Sequence, residues 1–64
     1  MSRQEGRRLP EGLDYLAIRG LKKEAQLRFS EIRPATLGQA SRIPGITPAD
    51  MAMLVVWVEK LERS

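Results

Sequence analysis

The sequence predicts an all-α fold, a small bundle of three to four short helices in one domain. Apolar residues recur with the helical period over residues 21–33 and 48–62. Helix-start signals stand at Thr36 and Thr47. The chain has 64 residues, and a domain of this length buries only about 60% of its unfolded surface. We therefore expect one marginally stable domain.

The chain is expected to begin with an arm that precedes a short first helix. Residues 1–12 hold two glycines, one proline and five charged residues, with almost no apolar residue. This composition predicts a flexible arm or truncated linker over residues 1–8 and an ordered domain over residues 9–64. The apolar segment LDYLAI, residues 13–18, predicts one or two turns of helix that begin near Asp14 and end before Gly20.

A second helix is predicted over residues 21–33. It is expected to end at Arg33, because a proline at position 34 disfavours helical backbone in the residue before it. Leu27 lies away from the apolar face and is expected to be exposed. Four apolar residues share one narrow face of the helical wheel and are expected to point into the core: Leu21, Ala25, Phe29 and Ile32.

The stretch TLGQASRIPGITPAD contains two helix-start signals within fifteen residues. Thr36 and Gln39 have the spacing of a capping box, in which the hydroxyl accepts from the N–H of Gln39 and the glutamine side chain reaches back. The helix that they begin is expected to cover residues 37–42 and to end before the Pro44-Gly45 break. It is built largely from small and polar residues.

The last helix is predicted over residues 48–62. Thr47 is its expected N-cap, and Pro48 stands at the first position, where its missing N–H is not needed. The apolar residues fill an arc of about 200° on the wheel, wider than one packing face requires. The helix is thus either central to the bundle or shares its surface with a neighbour outside this chain. The arc consists of Met51, Met53, Leu54, Val55, Trp57, Val58 and Leu61.

Composition argues against an active site or a metal site in this chain. It contains no cysteine and no histidine, so the common metal ligands and the usual general base near neutral pH are missing. No nucleophile–base pair or glycine-rich phosphate loop stands out, and we predict no catalytic, cofactor-binding or metal-binding residue. No apolar run reaches the roughly 18 residues of a membrane span. We expect a cytoplasmic protein without membrane contact.

Positive charge is concentrated in the first two thirds of the chain. Residues 1–42 hold nine Lys/Arg and five Asp/Glu, whereas residues 43–64 hold two and three, for a net charge of +3. This asymmetry is compatible with an anionic partner and equally with an ordinary solvated surface of scattered charge. One hypothesis is a stand-alone helix-hairpin-helix whose IPGIT turn offers backbone N–H groups to a phosphate, although Thr47 stands where such hairpins usually have a second glycine. Another is a purely structural protein-interaction bundle.

The run LP…LDY…I.GL, followed by RPATLGQASRIPGITPADMAMLVVWVEK, resembles the C-terminal end of the GidA/MnmG flavoproteins. These are tRNA uridine-5-carboxymethylaminomethyl modification enzymes, and the likeness covers about residues 9–60. The resemblance implies that residues 9–64 are the C-terminal helical domain of a longer flavoprotein. Such proteins use FAD and NADH, with the GTPase partner MnmE, to modify C5 of the wobble uridine. Their FAD fold and catalytic cysteines lie upstream, so no cofactor site is implied here.

The resemblance also implies partners for this domain. They are tRNA, the GTPase MnmE and the rest of the parent flavoprotein, which is expected to be a homodimer. The C-terminal helical domain of the family is associated with tRNA contact and partner docking. Each matching position also has a structural alternative, such as helix capping or close helix packing. The positions predicted to bind tRNA or the partner are Arg33, Gly38, Gln39, Ser41, Arg42 and Thr47.

Overall fold

A computed structural model describes residues 6–63 and confirms the all-α fold. A 3₁₀ turn, Tyr15–Ala17, precedes the three α-helices α1 (Lys23–Ile32), α2 (Leu37–Ser41) and α3 (Pro48–Arg63). Residues 1–5 of the predicted arm lie outside the described residues. Within residues 6–63, no helix has both the length and the apolar character that a membrane crossing requires.

The 3₁₀ turn forms where the sequence predicts the first helix. The Asp14 side chain accepts a hydrogen bond from the N–H of Leu16 at 3.1 Å and so caps the turn. The side chains of Tyr15 and Ile18 are buried in the core. Gly20 follows with a φ of 93°, a conformation that glycine adopts without steric cost. The chain therefore reverses direction between the turn and α1.

Helix α1 packs on the 3₁₀ turn through the aromatic pair Tyr15 and Phe29, whose ring centroids are 5.3 Å apart. Leu21, Ala25 and Phe29 are buried, and Leu27 is exposed, as predicted. The prediction that Ile32 points into the core is wrong, because its side chain is 47% exposed. Ile32 is the last residue of α1. A helical wheel gives the direction of a side chain but not where the packing neighbour ends.

The end of α1 is fixed at Arg33, as predicted. Its backbone is left-handed, with φ 50° and ψ 67°, and its N–H donates to the carbonyl of Phe29. It is the only non-glycine residue with positive φ in the described part of the chain. Pro34 follows and is buried. The chain then enters α2 without a long connection.

Helix α2 begins with a modified capping box. The Thr36 hydroxyl accepts from the N–H of Gln39 at 3.2 Å. The Gln39 amide oxygen accepts from the N–H of Ala35 at 2.9 Å, one residue before the cap. Leu37, Gly38 and Ala40 are buried. Small residues thus let this short helix pack closely against α3.

Helix α3 lies at the edge of the bundle rather than at its centre. Its fully covered residues form one stripe, Asp50, Leu54 and Val58. The side chains of Val56 and Leu61 are 49% and 43% exposed. The rest of the predicted arc is only partly buried, namely Met51, Met53, Val55 and Trp57. The described residues therefore leave much of the wide apolar arc only partly covered.

The segment before the 3₁₀ turn joins distant parts of the chain. The N–H of Leu9 donates to the carbonyl of Ala35 at 2.9 Å, and the N–H of Leu37 donates to the carbonyl of Arg7 at 3.0 Å. The Arg7 guanidinium also pairs with the carboxylates of Glu59, at 3.5 Å, and Glu62. These contacts connect the segment to both the start of α2 and the end of α3.

Candidate functional site

A surface cleft of about 250 Å³ lies between the segment before the 3₁₀ turn and the end of α1. Its ionisable walls comprise two arginines, one glutamate and one tyrosine. Because cations outnumber carboxylates, the cleft suits an anionic ligand. The lining residues are Arg8, Leu9, Pro10, Glu11, Tyr15, Arg33, Pro34 and Ala35.

Backbone carbonyls of the loop from Glu11 to Leu13 hold the Arg33 side chain in this cleft. Its Nη2 group donates to the carbonyl oxygens of Glu11, at 2.8 Å, and Leu13, at 3.1 Å. The guanidinium carbon lies 5.6 Å from the centroid of the Tyr15 ring, within cation–π distance. The Nε and Nη1 groups have no acceptor within residues 6–63. Arg33 is therefore both a structural link and a preoriented donor.

Tyr15 also lines this cleft. Its side chain is only 2% exposed, and the hydroxyl makes no hydrogen bond with residues 6–63. No inaccessible side-chain N or O atom in that range lacks a hydrogen-bond partner, so the Tyr15 hydroxyl must reach the surface. Burial raises the Tyr15 pKa, and the nearby Arg33 charge lowers it by less. The hydroxyl is thus protonated at neutral pH and able to donate.

Several N–H groups at the helix N-termini, which the hairpin hypothesis requires for phosphate binding, already have internal acceptors. At α2, the N–H of Leu37 donates to the Arg7 carbonyl. At α3, the N–H of Asp50 donates to the Thr47 hydroxyl at 3.2 Å, and the N–H of Met51 donates to the Thr47 carbonyl at 3.1 Å. These groups are therefore not available to an external phosphate.

The start of α3 also carries its own carboxylate. Asp50 is 5% exposed, accepts from the N–H of Thr47 at 3.0 Å and lies 3.6 Å from Lys22 Nζ. Burial raises the Asp50 pKa, but the hydrogen bonds from Thr47 and the charge of Lys22 outweigh it, so the net pKa is lowered. A buried carboxylate at this helix end would repel phosphate. The geometry does not support the helix-hairpin-helix hypothesis.

The predicted binding residues on α2 and at the start of α3 mostly serve their own backbone. Gly38 is buried within α2, and the Ser41 hydroxyl donates to the carbonyl of Gly38 at 2.7 Å. Gln39 and Thr47 cap helix starts. Arg42, at the end of α2, is exposed, and its side chain makes no hydrogen bond or ion pair with the described residues.

The structure therefore separates the two predicted arginines. Arg33 lies in the cleft, whereas Arg42 lies at the C-cap of α2. Sequence reasoning did not identify Arg8 or Tyr15, which join Arg33 in the cleft. The only local signal was the basic pair Arg7-Arg8 directly before the apolar segment. No periodicity links these residues, because the contacts form between segments far apart in the chain.

Comparison with known proteins identifies the family. The family described as the tRNA modifying enzyme MnmG/GidA C-terminal helical bundle matches residues 1–64. The chain belongs to the MnmG/GidA family. It is 48% identical over 59 residues to the tRNA uridine 5-carboxymethylaminomethyl modification enzyme MnmG of Caldicellulosiruptor saccharolyticus, covering 92% of this chain and 9% of that protein. The enzyme of the same name from Enterococcus faecalis is 47% identical over 60 residues, covering 94% and 10%.

A solved MnmG/GidA structure has the same fold. Aquifex aeolicus GidA, in its form II crystal, matches with a TM-score of 0.84 and 44% sequence identity, covering 89% of this chain and 10% of that one. The chain therefore corresponds to the C-terminal helical bundle of an MnmG/GidA tRNA modification enzyme. It spans about a tenth of the length of the curated relatives it matches.

Residues 6–63 of this MnmG/GidA bundle lack the sheet-based site at which many proteins hold a flavin or a nicotinamide cofactor. Such cofactors bind beside a parallel sheet, at a glycine-rich turn between a strand and a helix. Residues 6–63 contain a single isolated bridge, between Arg8 and Thr36, and no such turn. Nor do any three His, Cys, Asp or Glu side chains in that range come close enough to hold a metal ion. The cleft is the best-formed candidate site in this part of the chain.

Proposed function

We propose that this bundle is a non-catalytic docking domain of a cytoplasmic enzyme that modifies the wobble uridine of tRNA with FAD and NADH. Its ligands are tRNA, the GTPase partner MnmE, or both. The observation that carries the proposal is the family match over the whole chain, combined with the absence of cysteine and histidine. The names of the relatives supply the tRNA substrate class.

The surface chemistry supports docking to an anion. Arg42 presents an exposed guanidinium without an internal partner in residues 6–63, and Arg8 and Arg33 line the cleft. Arginine is well suited to phosphate because its planar group can donate two parallel hydrogen bonds. Phosphate contacts position a nucleic acid without reading its sequence. The bundle would therefore contribute affinity and orientation, while tRNA selection lies elsewhere.

The apolar surface of α3 supports a second contact, with the rest of the parent flavoprotein. Val56 and Leu61 are about half exposed, and Trp57 is only partly buried. Trp57 and Leu61 are four positions apart and so lie on the same side of α3, and a contiguous apolar surface of this kind is typical of an interface. The relatives are about ten times longer than this chain, so the same polypeptide or its homodimer partner is the proposed occupant.

The proposal is tested in the full-length protein by removing the bundle from residue 9 onward. We expect flavin absorbance to remain, because no residue of the bundle fits a flavin. Affinity for tRNA or association with the GTPase should fall sharply. Unchanged values of both would contradict a docking role and favour a purely structural bundle.

A point variant refines this test. Arg42→Glu should weaken tRNA binding several-fold without changing the melting temperature, because one phosphate contact is replaced by repulsion. Arg28→Glu is the matched control, since Arg28 is an exposed arginine on the surface of α1. Equal losses in both variants would show that only net charge matters. A loss of GTPase association alone in Arg42→Glu would make this surface a protein-docking site.

A further inference from the structure

We infer that the cleft formed by Arg8, Tyr15 and Arg33 binds one backbone phosphate of tRNA. This inference rests on the proposed docking function and assigns one ligand group to one place. It shares Arg33 with the positions predicted from the sequence, whereas the other predicted positions lie on α2 and at the start of α3. The cleft has a volume of about 250 Å³, enough for a phosphate group and part of its sugar.

Three residues of the cleft carry hydrogen-bond donors. Arg33 has its Nη2 group fixed on the carbonyls of Glu11 and Leu13, and its Nε and Nη1 groups remain available. The Tyr15 hydroxyl retains a small exposed area and has no partner in residues 6–63. Arg8 is exposed at the rim and makes no hydrogen bond or ion pair within the same range. Together they can donate to several oxygens of a single anion.

The scaffold fixes two of these donors before any ligand binds. The Tyr15 ring packs against Phe29, and the Arg33 guanidinium lies over the Tyr15 ring at 5.6 Å. Little side-chain freedom is therefore lost on binding, which favours affinity. The backbone on either side of Arg8 is also anchored. The Arg7 carbonyl accepts from the N–H of Leu37, and the N–H of Leu9 donates to the carbonyl of Ala35.

One lining residue opposes an anion. Glu11 is exposed at the cleft, although its backbone carbonyl serves to hold Arg33. Solvent screens the exposed carboxylate and the exposed arginines alike, and two arginines against one carboxylate leave the cleft with a net positive charge. The oxygens of a phosphodiester can also accept hydrogen bonds from more directions than a carboxylate can. This property of the phosphodiester matches a cleft whose donors lie on several sides. We therefore favour RNA over an acidic peptide.

The test uses Tyr15→Phe and Arg8→Gln in the full-length protein, with unfractionated tRNA as the probe. Tyr15→Phe keeps the buried ring and removes only the hydroxyl, so the melting temperature should stay the same. We expect it to weaken tRNA binding about tenfold to hundredfold, as loss of a hydrogen bond to a charged group does. Arg8→Gln should also lower the slope of log affinity against log salt by about 1.

Arg28→Gln is the control, because Arg28 is an exposed arginine that does not line the cleft. Normal tRNA binding by this variant, with weaker binding by the two cleft variants, supports the inference. Normal tRNA binding by Tyr15→Phe and Arg8→Gln overturns it. If removal of the whole bundle still abolishes tRNA binding in that case, the docking function survives and only the cleft assignment fails.

The same variants distinguish RNA from a protein ligand. Retained tRNA binding together with lost GTPase association would show that the cleft holds an acidic group of the protein partner, and this would overturn the assignment to RNA. Equal weakening by Arg28→Gln and Arg8→Gln would show a general charge effect and would also overturn it. Weakening of tRNA binding by Tyr15→Phe, a change that alters no charge, is the outcome that only the cleft explains.

Discussion

The side chains of Thr47 and Asp50 cap each other's backbone at the start of α3. The Thr47 hydroxyl accepts from the N–H of Asp50 at 3.2 Å, and the Asp50 carboxylate accepts from the N–H of Thr47 at 3.0 Å. This is a capping box with aspartate in the position that glutamate or glutamine usually fills. Lys22, the N-cap of α1, lies 3.6 Å from the same carboxylate. The starts of α1 and α3 therefore meet at Asp50.

Loss of the Thr47 hydroxyl should destabilise the bundle. We expect Thr47→Ala to lower the free energy of unfolding by about 1 kcal/mol, and Thr47→Gly by less. Thr47→Ser keeps the acceptor and serves as the control. Chemical denaturation of the three variants measures the difference. An alanine variant as stable as the serine variant would mean that this hydroxyl does not hold the helix start.

The Asp50 carboxylate should make stability depend on pH. The pKa of Asp50 is lowered in the folded state. Its contribution to the free energy of unfolding is therefore fully present above the unfolded pKa of about 3.9. This contribution is lost as the pH falls through the lower pKa of the folded state. Asp50→Asn should therefore be less stable than the parent at pH 6, and the gap should close in acid. Thermal melts from pH 6 to pH 2 measure it. A gap that does not change with pH would contradict this linkage.

Local signals predicted the starts of α2 and α3, and longer-range contacts explain the errors. The capping partners of Thr36 and Thr47 are three residues away, so their spacing is visible in the sequence. Arg33, by contrast, bonds to residues 20 and 22 positions earlier. No periodicity reports such a contact, and the cleft was missed for that reason. The exposure of Ile32 depends likewise on where its neighbour ends.

Leu54 and Trp57 should differ in their contribution to stability, although both belong to the predicted apolar arc. Leu54 is fully buried, whereas Trp57 is only partly buried and lies beside Lys60. In this chain we expect Leu54→Ala to lower the free energy of unfolding by about 2–5 kcal/mol. Trp57→Ala should lower it by about 1–2 kcal/mol, less than the ~3–5 kcal/mol expected for a fully buried tryptophan. Urea denaturation compares them. A larger loss for Trp57→Ala would place Trp57 in the core.

Gly20 and Gly45 offer a matched pair of substitutions to alanine. Both have positive φ, 93° and 92°. A Cβ at Gly20 would approach the Met53 methyl to 2.5 Å, whereas none of the described atoms lies within 4 Å of one at Gly45. The Met53 tip can rotate away, so both variants should lose about 1 kcal/mol from backbone strain. A much larger loss for Gly20→Ala, relieved by Met53→Ala, would show that steric contact dominates.

Arg33 combines a strained backbone with a stabilising side chain, and two substitutions separate these effects. Arg33→Ala loses the bonds to the carbonyls of Glu11 and Leu13 and keeps the left-handed backbone. We expect it to cost about 1–2 kcal/mol, because these bonds come from a charged donor but are partly solvated. Arg33→Gly loses the same bonds and relieves the left-handed strain, which is about 1 kcal/mol in a non-glycine residue.

The glycine variant should therefore be more stable than the alanine variant by about 1 kcal/mol, although both fall below the parent. Arg33→Lys is the control, since it keeps the charge but lacks the planar fork that reaches two carbonyls. Its stability should lie nearer to alanine than to the parent. If the alanine variant matched the parent in urea denaturation, Arg33 would not hold the Glu11–Leu13 loop, and the cleft would lose its preoriented donor.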